Sequence, residues 1–360
     1  MNRRDIEDAR LAGILDDAKA AELTAFLKSR ADPGASSDDE SLRFLANFND
    51  IFISVGIVIL SIGLIMVSST LFLATESAIL IIAPVIIALW LMLEYFAGRR
   101  RLLLPSMTLT VMITFLFTLL TALVANGLGS VDSATSRFDG GFGNGIDTIK
   151  GVALWSAGGA TIAAGIIYAR FRLPFALFLI AVALAAGLYF EAFTNGNVSP
   201  IYSGSASFLI GLATLAVAVF FDARDPARQT LNADNAFWLH LAAAPQIMLG
   251  LRAIFSGGTF SSLSGAEAVP LLIALVVFSI LSLALNRRAI IAAGLLSFWV
   301  AFNALADGAT SGVLQITLPL LLLGGGIVLL GAGWKTARRF VLAFVPKTGI
   351  FARIFPPEPA

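Results

Sequence analysis

Cysteine is absent from this 360-residue chain, and there is one histidine, His240. The first absence excludes disulfides, thiolate metal sites and cysteine nucleophiles. The second excludes a histidine-based metal cluster within one chain. Charge is scarce as well: Asp, Glu, Lys and Arg make up 13% of residues, about half their share in a soluble globular domain. The formal net charge is +1, so nothing points to nucleic acid as a partner. No G-x-x-x-x-G-K-S/T loop occurs, which argues against a phosphate-loop ATPase. The run GGFGNG from Gly140 resembles one calcium β-helix repeat, but Gly145 stands where aspartate is needed and the run does not recur. Serine-hydrolase chemistry would have to use His240, with no nucleophile elbow in the sequence. These absences predict a non-enzyme with no cofactor and no metal.

What the chain has in abundance is apolar sequence. It is 58% hydrophobic, with a mean hydropathy of +0.88. The apolar residues fall in long unbroken runs, each near the roughly 20 residues that cross a bilayer as a helix. The runs predict an all-α polytopic transmembrane helical bundle of about ten spans. They are Ile51–Leu73, Ser77–Ala97, Leu102–Ala125, Val152–Ala169, Leu173–Phe193, Ser203–Phe221, Ala236–Phe255, Ala266–Leu285, Ala289–Leu305 and Leu314–Gly333. The first run begins about 50 residues in, too late for a cleavable signal peptide.

The loops predict the orientation. Gly98–Arg101 (GRRR), Ala169–Arg172 (ARFR), Asp222–Arg228 (DARDPAR), Asn286–Arg288 (NRR) and Lys335–Arg339 (KTARR) hold nearly all the loop arginine. They are every second loop plus the C-terminal flank. The alternate loops (ATES, TNGNVSP, SGGTFSSLSGAE, ADGATSG) carry no Lys or Arg. By the positive-inside rule both termini are cytoplasmic. Trp155, Trp238 and Trp334 fall at predicted span ends, as an aromatic belt would have them. The external loop 126–150 breaks the charge rule with Arg137 and Lys150. Five helices on either side of Pro200 would give two halves of opposite topology, a common transporter plan.

Outside the spans, residues 1–30 read as a cytoplasmic helical hairpin. Gly13 ends its first helix and Asp16 caps the second. Residues 31–50 form a polar linker and an interfacial lead-in, 51–334 the membrane bundle, and 335–360 a cytoplasmic tail. Within that tail Phe340–Phe355 is predicted to lie on the membrane surface, with Lys347 and Arg353 toward anionic lipid. So short a hairpin buries too little to fold strongly alone and is expected to dock on a cytoplasmic or membrane protein partner.

Ionisable residues inside a membrane are costly and are functional suspects. Glu94, one heptad before Arg101, reads as a snorkelling ion pair, and Glu191 lies near an outer span end. The seventh run, AFWLHLAAAPQIMLGLRAIF, is the most polar, with His240, Pro245, Gln246 and Arg252. Pro245 removes a backbone donor, and Gln246 beside it could face a cavity that binds a solute or relays protons. Against this, His240, Gln246 and Arg252 point in three separated directions at about 100° per residue. His240 and Arg252 are also close enough to the span ends to snorkel. In the third run Thr110, Thr114, Thr118 and Thr121 share a face, with Thr114 and Thr118 as candidate cavity lining. In the first, Ser54, Ser61 and Ser68 recur by heptads beside Gly56 and Gly63. Such stripes more often pack helices closely than line a water path, and the glycines of the fourth and tenth runs read the same way.

Several of these stretches together resemble a bacterial family of predicted integral membrane proteins of unknown function. They are the Gly13-Ile14-Leu15-Asp16 turn, the lead-in Asn47-Phe48-Asn49-Asp50, and Asp234-Asn235-Ala236-Phe237-Trp238-Leu239-His240 with Ala243-Ala244-Pro245. Leu330-Gly331-Ala332-Gly333-Trp334, Arg338-Arg339 and the Pro-rich tail are similar too. The resemblance implies a location in the bacterial inner membrane and no particular activity. Two functional expectations stand beside each other: a small-solute transporter or permease, and a non-catalytic membrane scaffold that contacts a partner through its N-terminal hairpin.

Overall fold

The computed structural model describes residues 6, 10, 12–13, 15–30, 48–72, 78–125, 152–194, 200–226, 228, 230–256, 264–287, 290–291, 298–299, 301–305, 313–344 and 355. The predicted linker, the 126–150 loop, Lys347, Arg353 and about half of the predicted ninth span lie outside them. The chain divides into two units, residues 1–41 with the terminal Ala360, and residues 42–359.

In the first unit, helix α1 (Asp17–Arg30) follows a turn closed by Gly13 N–H donating to the Arg10 carbonyl at 3.0 Å. Gly13 has φ +69°, a left-handed value that costs glycine nothing. Asp16 Oδ1 accepts the N–H of the next residue, Asp17, at 2.8 Å, and Arg10 pairs with Asp17 at 2.9 Å.

The second unit is all α-helix among its described residues. The helices are α2 (Phe48–Phe72), α3 (Ala78–Leu93) with a π-helical extension (Glu94–Arg100), α4 (Leu103–Ala125), α5 (Val152–Phe171) and α6 (Pro174–Thr194). After these come α7 (Pro200–Arg224), α8 (Leu231–Phe255), α9 (Gly265–Leu285) and α10 (Val313–Leu342). Seven of them, α2 to α4 and α7 to α10, are long and apolar enough to cross a membrane. Of the other two, α6 is apolar over the shorter stretch Pro174–Leu188. Exposed side chains carry the membrane argument further. Phe52, Ile59 and Met66 form a heptad stripe on α2 at 71%, 65% and 64% exposure. Soluble monomers rarely present such a band, and lipid contact accounts for it.

Neighbours in sequence pack as neighbours in space: α2 with α3 and α4, α4 with α5, α5 with α6, α6 with α7 and α8, and α8 with α9, which meets α10. The first core joins α2 to α6 through Ile57, Leu89, Leu109, Ile113, Ile167 and Ala176. The second, between α6, α7 and α8, is built from smaller residues: Ala181, Ala218, Leu239 and Ala242. Small side chains there allow backbones to close in. A methyl on Gly211 of α7 would sit 2.5 Å from Ile247 Cγ1, and one on Gly250 of α8 would sit 2.5 Å from Phe208 N. Close packing by small residues is a membrane device, since lipid gives helices no hydrophobic reason to associate.

Three expectations need correction. Glu94 pairs with Arg170 of α5, not with Arg101, because the π-helical turn leads into a left-handed Arg101 with φ +53°. Trp334 is not a belt residue. It lies within α10, is 6% exposed, and donates from Nε1 to Asn286 Oδ1 at 2.7 Å. The glycine packing expected in α5 is realised at Gly159, where a Cβ would meet Thr121 Oγ1 at 2.1 Å; Gly158, Gly165 and Gly324 to Gly326 face nothing within 4 Å.

Candidate functional site

The polar residues of α7, α8 and α9 gather at the arginine-bearing ends of these helices. Asp222 is two residues from the end of α7, His240 lies in the first half of α8, and Arg287 follows the C-terminus of α9. Asp222 Oδ2 is 2.8 Å from His240 Nε2, and Arg287 Nη2 is in contact with Asp222 Oδ1. Arg287 Nε reaches Oδ2 at 3.3 Å, so guanidinium and carboxylate face each other fork to fork. The three side chains are 6%, 0% and 3% exposed, respectively. A carboxylate oxygen only accepts, so Nε2 of His240 carries the hydrogen of this contact. His240 Nδ1 is buried and has no hydrogen-bond partner among the described residues.

Local structure explains why Arg287 points inward. Asn286 ends α9 in a left-handed conformation, φ +53°, and the Arg287 N–H donates back to the Ser282 carbonyl at 2.9 Å. That geometry satisfies a carbonyl the helix would otherwise orphan. Ser282 Oγ donates to the Arg287 carbonyl at 2.6 Å, which fixes the residue from both sides. The side chain then crosses to Asp222 and to the Ala233 carbonyl in the first turn of α8, 3.2 Å from Nη2. Arg228, in the α7–α8 turn, makes the reverse crossing and donates to the Leu285 and Asn286 carbonyls at 2.6 and 3.0 Å. With Trp334 on Asn286, the cluster ties α7, α8, α9 and α10 together. Asp225 accepts from the backbone and hydroxyl of Thr230 at 2.8 and 2.7 Å, and Thr230 in turn caps α8.

Gln246 lies about 9 Å further along α8 than His240. It is 6% exposed and donates from Nε2 to the Ala181 carbonyl of α6 at 3.3 Å, while its backbone carbonyl accepts from Ser207 Oγ of α7 at 3.0 Å and its buried Oε1 has no hydrogen-bond partner among the described residues. Pro245 lies within α8, which runs unbroken from Leu231 to Phe255. Arg252 is half-buried one turn from the end of α8, and its carbonyl accepts from Ser256. The α8 residues singled out by sequence thus do not converge. Thr114 and Thr118 are on α4, in the other core. Thr118 Oγ1 donates to the Thr114 carbonyl at 2.7 Å, whereas buried Thr114 Oγ1 has no hydrogen-bond partner among the described residues. Ser54 and Ser61 likewise bond carbonyls four residues back, and Ser68 reaches across to the Ile81 carbonyl at 2.6 Å. Glu191 falls in α6, with its side chain outside the described residues.

Sequence reasoning missed Asp222 and Arg287, because both sit in runs that read as topology signals. The available hint was an aspartate among arginines (DARDPAR) within reach of the chain's one histidine. Together the fold and this cluster define a polytopic α-helical membrane protein with a buried ionic network at one end of its helices. No protein-family model matches the chain, and no curated protein or solved structure matches it either.

Proposed function

We propose that the chain is a non-catalytic scaffold of the bacterial inner membrane, arginine-rich turns in the cytoplasm, with the N-terminal hairpin as its contact for a protein partner. One observation carries the reading. Gln246, the mid-depth polar residue that a transport path would expose, is buried, with its side-chain Nε2 bonded to α6 and its backbone carbonyl bonded by Ser207 of α7. Membrane helices use polar groups in this way to hold one another. The hairpin's separation as its own unit fits an attachment role.

One observation favours the other reading, small-solute transport: the open Nδ1 of His240 beside Asp222, where a proton could be bound and released. Substituted-cysteine accessibility separates the two. The chain has no native cysteine, so single cysteines from Phe237 to Phe255 can be probed with a membrane-impermeant maleimide. The scaffold reading expects labelling at the helix ends alone and loss of partner capture when Met1–Arg30 are deleted. A reactive stripe through Gln246 that a solute protects would replace it with transport.

A further inference from the structure

Two turns on the arginine-bearing side come together in a way that orientation alone does not require. The π-helical end of α3 and the residue that caps it carry Arg99, Arg100 and Arg101, and the end of α5 with its turn into α6 carries Arg170 and Arg172. The turns touch: Arg170 pairs with Glu94, Phe171 lies 5.8 Å from the ring centre of Trp90, and a Cβ on Gly98 would be 3.7 Å from Phe171. All five arginines are exposed, and Glu94 is the one carboxylate in residues 94–105 and 166–176. Within these two segments four positive charges are therefore left after the Glu94 pairing.

Two of these arginines sit where their residue type is disfavoured. Arg101 and Arg172 each have φ +53°, the left-handed region that suits glycine. Beneath the patch the surface is apolar. Leu91, one turn before Tyr95, is 66% exposed, and Ile166, one turn before Arg170, is 49% exposed. A basic rim directly above exposed aliphatic side chains matches an amphiphile, with phosphate at the arginines and acyl chain along α3 and α5. Free phosphate would use the rim alone.

We infer that the Arg99–Arg101 and Arg170–Arg172 turns form a binding site for the headgroup of an anionic phospholipid. The site is separate from the Asp222 cluster and independent of the scaffold reading.

The test is native mass spectrometry of the full chain in detergent, titrated with dioleoyl phosphatidylglycerol or dioleoyl phosphatidylcholine. The native protein holds phosphatidylglycerol more tightly. Arg101→Gly with Arg172→Gly relieves the left-handed strain, so the variant folds at least as well, yet it weakens phosphatidylglycerol binding about thirtyfold, roughly fivefold per arginine. If the glycine pair melts early, Arg101→Asn with Arg172→Asn repeats the test, since asparagine tolerates that conformation. Arg224→Gln with Arg339→Gln, at other basic turns, leaves binding within about twofold, because headgroup attraction falls off within a Debye length. Equal binding of both lipids, no loss in the glycine or asparagine pair, or an equal loss in the Arg224/Arg339 pair would each overturn the inference. So would full displacement of phosphatidylglycerol by millimolar inorganic phosphate, which would mark a site for soluble anions.

Discussion

The closest backbone approach at any described glycine, between α7 and α8, makes a prediction with its own control. Replacing Gly250 by Ala places a methyl 2.5 Å from Phe208 N and 2.8 Å from the Gly204 carbonyl oxygen and Phe208 Cα. All three are backbone atoms, so no side chain can rotate away. Ordinary contact needs about 3.4 Å or more, so the helices must part by close to 1 Å, at a cost of about 1–3 kcal/mol for overpacking. Ser207 Oγ and the Gln246 carbonyl, 3.0 Å apart on the same pair of helices, would part with them. A lost buried hydrogen bond adds about 1 kcal/mol. The total is roughly 2–4 kcal/mol, large for one methyl group.

The control is Gly324→Ala in α10, where a Cβ meets nothing within 4 Å. There the substitution only removes the flexibility of a mid-helix glycine and should stabilise by about 0.5–1 kcal/mol. Thermal unfolding of the purified protein in detergent, followed by tryptophan fluorescence, should give the order Gly324→Ala, native, Gly250→Ala from highest midpoint to lowest. Gly211→Ala, whose methyl would lie 2.8 Å from Ile247 N, should fall beside Gly250→Ala. A Gly250→Ala protein as stable as native, or a Gly324→Ala protein equally damaged, would refute the idea that these glycines are present for helix approach.

Three further outcomes follow from the ionic cluster and the hairpin. Asp222→Ala leaves the Arg287 guanidinium, 3% exposed, without its carboxylate, and should cost about 3–5 kcal/mol. Asp222→Leu with Arg287→Leu should recover most of that in the same unfolding assay, and a double variant no better than the single one would count against a paired charge. Trp334→Phe deletes the 2.7 Å bond to Asn286 Oδ1 and should cost about 1–3 kcal/mol; an unchanged midpoint would show that the bond contributes nothing. Gly13→Ala forces a methyl into φ +69°, costing about 1–2 kcal/mol in the hairpin. It should speed protease cleavage within residues 1–30 while the bundle's midpoint stays put, and no change in cleavage would deny the turn its role.

The helices were legible because hydropathy runs and helical backbone coincide in a membrane: α5, α6 and α9 begin and end within about two residues of their predicted spans. They diverge where polar residues continue a helix beyond lipid. Thus α8 starts at Leu231, ahead of Ala236, because Thr230 caps it there, and α10 runs past Gly333 to Leu342. Partners were less legible than types. Glu94 announced itself as a charge that needed a mate, but its mate depended on a π-helical turn that periodicity does not reveal. His240 and Gln246 stood out as polar residues in an apolar run. Their bonds to Asp222 and Ala181 depend on helix register, which one sequence does not encode in any readable pattern.

The arginines of the basic turns do two kinds of work, and burial separates them. Orientation in a membrane needs only that positive charge collect on one side, so exposed residues such as Arg99 and Arg100 are enough for it. Arg287 is different. A guanidinium at 3% exposure must recover the hydration it has lost, and it does so through both oxygens of Asp222 and the Ala233 carbonyl. Arg228 is held by two carbonyls at the end of α9. Each arginine thus starts on one helical segment and ends on another, so α9 seats only where both reach their acceptors. Planar guanidinium groups make that seating directional, which ammonium groups would not. The turns whose arginines read as orientation signals in the sequence therefore also fix how the α7–α8 pair meets α9, and His240 is bound to the carboxylate on which that junction depends.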